Sequence, residues 1–367
     1  MPGIARADLP TPALLLDLAA LERNITAMAA WTQDHGVAIR PHTKVHKSPE
    51  IARRQLAVGA VGLTAATVYE AEAMLEAGPP EILIANEVVD PDHVRRLPGI
   101  ARQAALIVAV DDGRNACQLS AAAVAAGVQL GVLLDIDVGM GRCGTRTVPA
   151  AVALAGEVAR LPGLTLRGVM GYEGHVVLEP DPQVRAARAA EAMDQLAEVA
   201  GAITGAGHEV TIVSAGGTNT HDMTGLHPAV TELQAGTYAV MDAGYAPLAG
   251  RFTPVLSVAA RVVSHQGATA VLNCGTKSIA VDVSPPSVPA GAGTVREVHE
   301  EHMLIDAASG WAPQPGELVQ VTVGYAGGTV NLHDGYYVLD GDQVVDVWPV
   351  VARGAGRAPA LADGAAT

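Results

Sequence analysis

Residues 40–47, "RPHTKVHK", bring two lysines and two histidines together behind the apolar lead-in "GVAI". Lysine and histidine are costly to bury without partners, so a strand that runs out of a core into them delivers them to a site or to solvent. If the segment stays extended, His42, Lys44 and His46 share one face by the period of two. In isolation such a pattern is most often a solvated turn. Other segments change that reading. "DIDVGMGRCG" carries Arg142 on a glycine-flanked loop, and "GYEGH" offers Tyr172 and His175. "SAGGT" and "QAGTY" collect Ser214, Gly216, Gly217, Thr218, Gly236 and Thr237, small or hydroxyl residues with exposed backbone N–H groups. An amine facing an N–H-rich anion cradle is the equipment for pyridoxal phosphate. The amine forms a Schiff base with the aldehyde, and the N–H groups hold the phosphate. Lys44 is the candidate anchor, its pKa lowered by burial and neighbouring positive charge, with the histidines lining the pocket.

The elements needed to bring these residues together are visible along the chain. From Val37 to Tyr245, eight short apolar runs alternate with alanine-rich segments of helical period. The runs are "VAIRPHTK", "VGLTAAT", "EILIAN", "AALIVAV", "QLGVLLDIDVG", "LTLRGVMGYEGH", "EVTIVSAGGT" and "TELQAGTY". Ser48-Pro49 suits a helix start, and Gly78, Gly127 and Gly207 suit helix ends. The seventh link, "NTHDMTGLHPAV", is too short and too rich in breakers for a regular helix. Eight strands with helical crossovers imply an α/β fold, a (β/α)8 TIM barrel, with chemistry at the strand ends and an anion site after strands seven and eight. After "DAGY" the runs become short and valine-rich between glycine, proline and aspartate, which reads as a C-terminal β domain. The expected organisation is a barrel over 1–245, a β domain over 246–355 and a disordered tail over 356–367. The early "TPALLLDLAALERNI" is expected to lend a strand to the β domain.

Composition narrows the function class. The net charge of −15 argues against a general nucleic-acid binder. Mean hydropathy is +0.27, yet no apolar run approaches the roughly 18 residues of a membrane helix. The start "MPGIARADLP" lacks the pattern of a secretory signal, and three cysteines without a CxxC fit a reducing compartment, so a cytoplasmic enzyme of small-molecule chemistry is expected.

The run "RPHTKVHKSPEIARRQLAVGAVGLTAATVYEAEAMLEAG", together with "DVGMGRCG", "GYEGH", "SAGGT", "TELQAGTYAVMD" and "TVNLHDGYYV…VWPVVARG", resembles the D-threonine aldolase and D-serine dehydratase-like family. These are pyridoxal-phosphate enzymes of the alanine-racemase fold type, and the resemblance spans nearly the whole chain. It implies that Lys44 is the Schiff-base lysine, that Arg142 approaches the cofactor's phenolic oxygen and that His42 and Tyr172 lie near the cofactor. Ser214, Gly216, Gly217, Thr218, Gly236 and Thr237 would take the phosphate side. It also implies a homodimer and an amino-acid substrate, because the β domain normally completes active sites between two subunits. A non-catalytic cofactor carrier of this fold type would lack that domain.

One departure bears on mechanism. Ahead of "TVNL" the family typically has a His-x-Cys or His-x-Asp pair that holds a divalent metal against the substrate's β-hydroxyl, and here Tyr325 and Gly327 take those places. A glycine donates no side chain and a neutral phenol is a poor ligand for such ions, so no metal is expected there. His302, His333 and Asp334 remain as a rearranged alternative. Without a metal, hydroxide is the harder group to expel, so aldol cleavage is favoured over elimination. Tyr325 and His302 join Lys44 as candidate catalytic residues. The leading expectation is a lyase of D-configured β-hydroxy-α-amino acids, and the alternative is a racemase or epimerase with Tyr325 as second acid or base.

Overall fold

The computed structural model describes residues 3–354. The tail expected over 356–367 lies outside the described residues. The chain opens with strand β1 (Ala13–Asp17) and helix α1 (Leu18–His35), then alternates through β2 (Ala38–Ile39), α2 (Pro49–Ala57), β3 (Leu63–Ala65), α3 (Val68–Met74), β4 (Glu81–Glu87) and α4 (Pro91–Ala101). It continues through β5 (Ala105–Val110), α5 (Gly113–Ala126), β6 (Leu130–Asp135), α6 (Val148–Val158), β7 (Leu164–Met170), α7 (Pro182–Gly205) and β8 (Ile212–Ala215). The four-residue helix α8 (His221–Thr224) is all the breaker-rich seventh link forms before β9 (Glu232–Leu233) and α9 (Thr237–Val240).

Side chains that compete with the backbone fix where the helices start. Asp17, Thr67, Asp90, Asp112, Thr147 and Asp181 each accept an N–H from the first turn of the helix they precede, worth about 1 kcal/mol apiece. Gly36 and Gly127 close α1 and α5 in the left-handed conformation.

Strands β2 to β9 form one parallel sheet in the order β2-β9-β8-β7-β6-β5-β4-β3. The two ends meet: Val61 N–H donates to Ile39 O at 3.0 Å, Thr64 N–H donates to Pro41 O at 2.8 Å, and His42 bridges Thr64. This is the expected eight-stranded α/β barrel. Leu83, Ile107, Ala109, Leu133, Met170 and Ile212 fill its interior, while their neighbours Ile82, Ile84, Leu106, Val108, Val132 and Leu134 pack outward under the helices. Met170 of this plug lines a cavity together with residues that follow the C-terminal ends of the strands. Curvature is tight at Gly168 (φ +148°), where a Cβ would overlap the Ile212 carbonyl.

The remaining chain is a mostly antiparallel β domain. After α10 (Ala246–Ala249) come β10 (Leu256–Gln266), β11 (Thr269–Leu272), β12 (Gly293–Val298), β13 (Met303–Ala307), β14 (Leu318–Thr322), α11 (Ala326–Asn331), β15 (Gly335–Asp340) and β16 (Gln343–Pro349). The sheet runs β12-β13-β11-β10-β1-β15-β16, with β14 also on β10. Strand β1 sits in its middle, antiparallel to β10 and parallel to β15, so the leucine run at the amino terminus belongs to this sheet, as its sequence implied. Among the described residues no helix is long and apolar enough to cross a membrane.

Candidate active site

The sequence drives the first barrel strand straight into the site. Strand β2 ends at Ile39, its backbone bonds run on through Arg40 N–H to Leu233 O (2.9 Å) and His42 N–H to Ala235 O (3.2 Å), and the chain then forms a 3-10 turn over Thr43–Val45, with His42 as its N-cap. The Thr43 hydroxyl donates to Thr64 O at 3.0 Å and fixes the turn to β3. Because the segment turns instead of staying extended, the expected shared face breaks. His42 and Lys44 reach a cavity of about 220 Å³, whereas His46 points into the core. His46 is fully buried, with Nδ1 accepting the Ser48 N–H at 3.1 Å.

Lys44 projects into open space at the barrel mouth, so solvent reaches it, yet protein walls surround its amine. That enclosure, followed by the Arg142 charge, lowers its pKa, and the Glu70 carboxylate opposes the shift. Nζ stands 6.0 Å from the centre of the Tyr172 ring. His42 is held well below its ordinary pKa, by burial first and then by Lys44 and His46, so it stays neutral and its Nδ1 is buried without a partner.

Arg142 enters from the loop after β6. Asp137 shapes that loop by accepting the N–H groups of Gly139 (3.1 Å) and Gly141 (2.8 Å), and Asp111 accepts Gly144 N–H at 3.0 Å. Below it, burial and the adjacent Glu87 push the Asp135 carboxyl up to about 7 against the pull of Arg142. Across the mouth, the loop after β8 is held from underneath by Glu173, which is fully buried. Its carboxylate accepts the Thr220 hydroxyl (2.6 Å), the Thr224 hydroxyl (2.5 Å) and Gly216 N–H (3.3 Å). Thr218 Oγ1 accepts Tyr238 N–H at 2.9 Å and ties this loop to the one after β9. Among the described residues, the backbone N–H groups of Thr218, Gly236 and Thr237 have no partner within the chain. At Gly236 a Cβ would lie 2.5 Å from His42 O, so only glycine lets the two loops approach.

The cavity therefore gathers His42, Lys44, Arg142, Tyr172, Gly216, Gly217, Thr218, Gly236, Thr237 and Tyr325 from the sequence expectations. Two expected residues lie elsewhere. Ser214 is buried in the barrel wall, where its hydroxyl donates to Glu232 (2.7 Å) and accepts from Gln234 (2.9 Å). Glu232 in turn pairs with Arg40, Nε to Oε1 at 2.9 Å and Nη2 to Oε2 at 2.8 Å, so Ser214 serves a buried ion pair instead of an anion cradle. His302 is exposed in the turn between β12 and β13, its carbonyl accepting His299 N–H, and does not line the cavity. Sequence reasoning missed Tyr245, Gln234, Val45, Ala85, Met170 and Val177. Only Tyr245 carried a signal, since it closes the "DAGY" segment after the eighth strand.

Tyr245 and Tyr325 reach the cavity from different parts of the chain, joined by one buried carboxylate. Asp242 Oδ1 accepts Tyr245 N–H at 2.9 Å and Oδ2 accepts Ala326 N–H at 2.7 Å. Burial pushes Tyr245 up to about 12. Tyr325 is raised as well, by burial first and then by Asp282 and Asp242, so both phenols stay protonated at neutral pH.

The donor set fits a phosphorylated aldehyde. An amine shifted toward its neutral form, three unpartnered N–H groups and a neutral histidine with an orphaned nitrogen face one cavity.

The profile described as "Alanine racemase, N-terminal domain" matches residues 16–243, and "Putative serine dehydratase domain" matches residues 255–339. The chain is 38% identical to a D-threonine aldolase of Arthrobacter sp, over 97% of this chain and 96% of that one. It is 34% identical to a 3-hydroxy-D-aspartate aldolase of Paracoccus denitrificans, over 97% and 95%. It superposes on the crystal structure of D-threonine aldolase from Filomicrobium marinum with a TM-score of 0.93 at 38% identity, covering 96% of this chain and 98% of that one. The chain belongs to the D-threonine aldolase and D-serine dehydratase-like family of pyridoxal-phosphate enzymes.

Where the family resemblance puts a metal-binding pair, Tyr325 and Gly327 stand at the start of α11. The Tyr325 ring covers Gly327, where a Cβ would lie 3.2 Å from the phenol oxygen. The rearranged alternative does not assemble. His333 Nε2 meets Ser278 O at 2.7 Å, Asp334 pairs with Arg353, and His302 lies on its exposed turn. Among the described residues no three His, Cys, Asp or Glu side chains converge on one point. The residues present do not fit the family's metal.

Proposed function

We propose that this protein is a pyridoxal-phosphate lyase that cleaves the Cα–Cβ bond of D-configured β-hydroxy-α-amino acids to an aldehyde and glycine or a related amino acid. It would act as a cytoplasmic homodimer. The observation that carries this reading is the Lys44 amine, lowered in pKa and set in one cavity with unpartnered N–H donors and the Tyr325 phenol. The sequence relationship to two aldolases supports the same reaction class. Lys44 would bear the cofactor, Thr218, Gly236 and Thr237 would hold its phosphate, and Arg142 would balance its phenolic oxygen. Bound there, the cofactor supplies an electron sink for the pair left on Cα when the bond breaks.

The chain's own groups account for the protons. Aldol cleavage takes one proton from the β-hydroxyl and returns one to Cα. Lys44 Nζ, biased toward the neutral amine, is the acceptor. Tyr325 Oη, held protonated in the same cavity, is the donor. A purified sample should release aldehyde from D-threonine or a related β-hydroxy amino acid, undiminished by chelator. If no member of a D-amino-acid panel gives aldehyde, the reading fails. The amine and phenol in one cavity also favour the second reading, racemisation or epimerisation, which predicts Cα proton exchange with deuterated solvent and no aldehyde.

A further inference from the structure

Among the described residues, two other than glycine take a left-handed φ, Lys47 (+48°) and Ala352 (+49°), and they face each other. Val351 N–H donates to Lys47 O at 2.8 Å, and Lys47 Nζ donates to Ala352 O at 2.8 Å. The same ammonium pairs with Glu70 Oε1 at 2.8 Å, and both side chains are nearly sealed from solvent. Glu70 Oε2 accepts Ala66 N–H at 2.7 Å, which pins the carboxylate at the start of α3. Lys47 N–H bonds back to Thr43 O at 2.8 Å, so this strained residue closes the turn that carries Lys44. Tyr336 adds a bond from its hydroxyl to His46 O. A left-handed conformation in a buried lysine persists only where surrounding contacts over-determine it, and here four hydrogen bonds do.

We propose that Lys47 is a positioning residue for Lys44: clamped between the C-terminal strap at 351–352 and Glu70, it closes the Lys44 turn and neutralises the carboxylate that would otherwise hold the Lys44 amine protonated. The proposal rests on the reading of Lys44 as the cofactor-bearing lysine. The charged and titratable groups around Lys44 are Arg142 from the loop after β6, Glu70 from α3, Tyr172 from the loop after β7, Tyr245 and Tyr325 on the cavity wall, and His42 and His46 on its own segment. Glu70 is the carboxylate among them and the one that favours the Lys44 cation. With Lys47 paired to it, its field at Lys44 is reduced. The unpaired carboxylate stabilises the ammonium and withholds the neutral amine that attacks an aldehyde.

The test is trace acylation of the full cofactor-free chain with acetic anhydride between pH 7 and 10, with peptide mapping of Lys44. In Lys47→Met, Lys44 is expected to react at least about threefold more slowly at pH 8, one pKa unit being tenfold in neutral fraction. In Glu70→Gln it should react faster by a similar factor, and the double variant should return close to wild type. Shifts in the same direction, or none, overturn the proposal, because a merely structural role gives no opposed pair. If Lys47→Met does not fold, Glu70→Gln alone decides, and an unchanged or slower rate is refutation. Borohydride reduction of the holoenzyme tests the underlying reading separately: a pyridoxyl tag away from Lys44 sinks that reading whatever the acylation rates show.

Discussion

Acid should destabilise this protein through His46, one residue before the Lys47 clamp. His46 is fully buried, and burial lowers its pKa from the ordinary 6.5 to about 4, with Gln55 opposing. Protonating Nδ1 would also set two N–H groups against each other, since that nitrogen already accepts the Ser48 N–H. The sign follows from proton counting. Between pH 6.5 and 4 the unfolded chain takes up a proton that the folded chain refuses, so stability is complete above 6.5 and falls as pH drops. Integrating over that window gives a loss of about 2 kcal/mol at pH 5 and about 3 kcal/mol at pH 4 from this group alone. Asparagine keeps an acceptor for Ser48 and removes the titration. His46→Asn should therefore be less stable than wild type at pH 7.5, yet lose about 2 kcal/mol less than wild type on going to pH 5. Urea unfolding of both proteins at the two pH values reads this directly, because the other histidines cancel in the difference. If the two proteins lose equal stability, the buried neutral imidazole is not what makes the fold acid-sensitive.

Lys44→Ala should abolish the visible absorbance of bound cofactor, whereas Lys47→Ala should retain it; loss in both would mean that the clamp matters to the fold as well as to reactivity. Tyr325→Phe should lower kcat by at least about 100-fold, the usual scale for one acid-base group, with the far-ultraviolet spectrum unchanged. A drop below tenfold would leave Tyr325 as a space-filling ring over Gly327. Asp242→Ala strands the buried Ala326 N–H and the half-buried Tyr245 N–H and should cost about 2 kcal/mol in urea unfolding, with a fall in kcat as Tyr245 and Tyr325 lose their common anchor. An unaffected kcat would detach those phenols from the chemistry.

The legible parts of the site were those that local chemistry dictates. A lysine after an apolar run, an arginine between glycines and two glycine-rich strand ends all lie at the same end of a parallel barrel once eight strands are counted, and the fold brings them into one cavity. Glycine carries information of this kind because its need is steric and local: Gly236 must be bare for His42 to approach. The misreadings come from direction. "PHTKVHK" can be extended or turned with equal local propriety, and the bond from Thr43 to Thr64, 21 residues on, selects the turn that buries His46. Ser214 has the composition of an anion-cradle residue, but strands curve, and its hydroxyl falls on the side that faces Glu232.

By itself the sequence determined the repeat of strand and helix, the change to short valine-rich strands after Tyr245 and the placing of a lysine just past the first barrel strand. Each of these is written in hydrophobic period or in residue type over a few neighbours. Only the tertiary structure decided that Asp242 braces two tyrosines, that Glu173 props the loop after β8 and that Lys47 is clamped between Glu70 and the strap at 351–352. A carboxylate's partner is whatever the fold brings within 3 Å of it, and for Lys47 that includes a carbonyl 305 residues away, which no local pattern encodes.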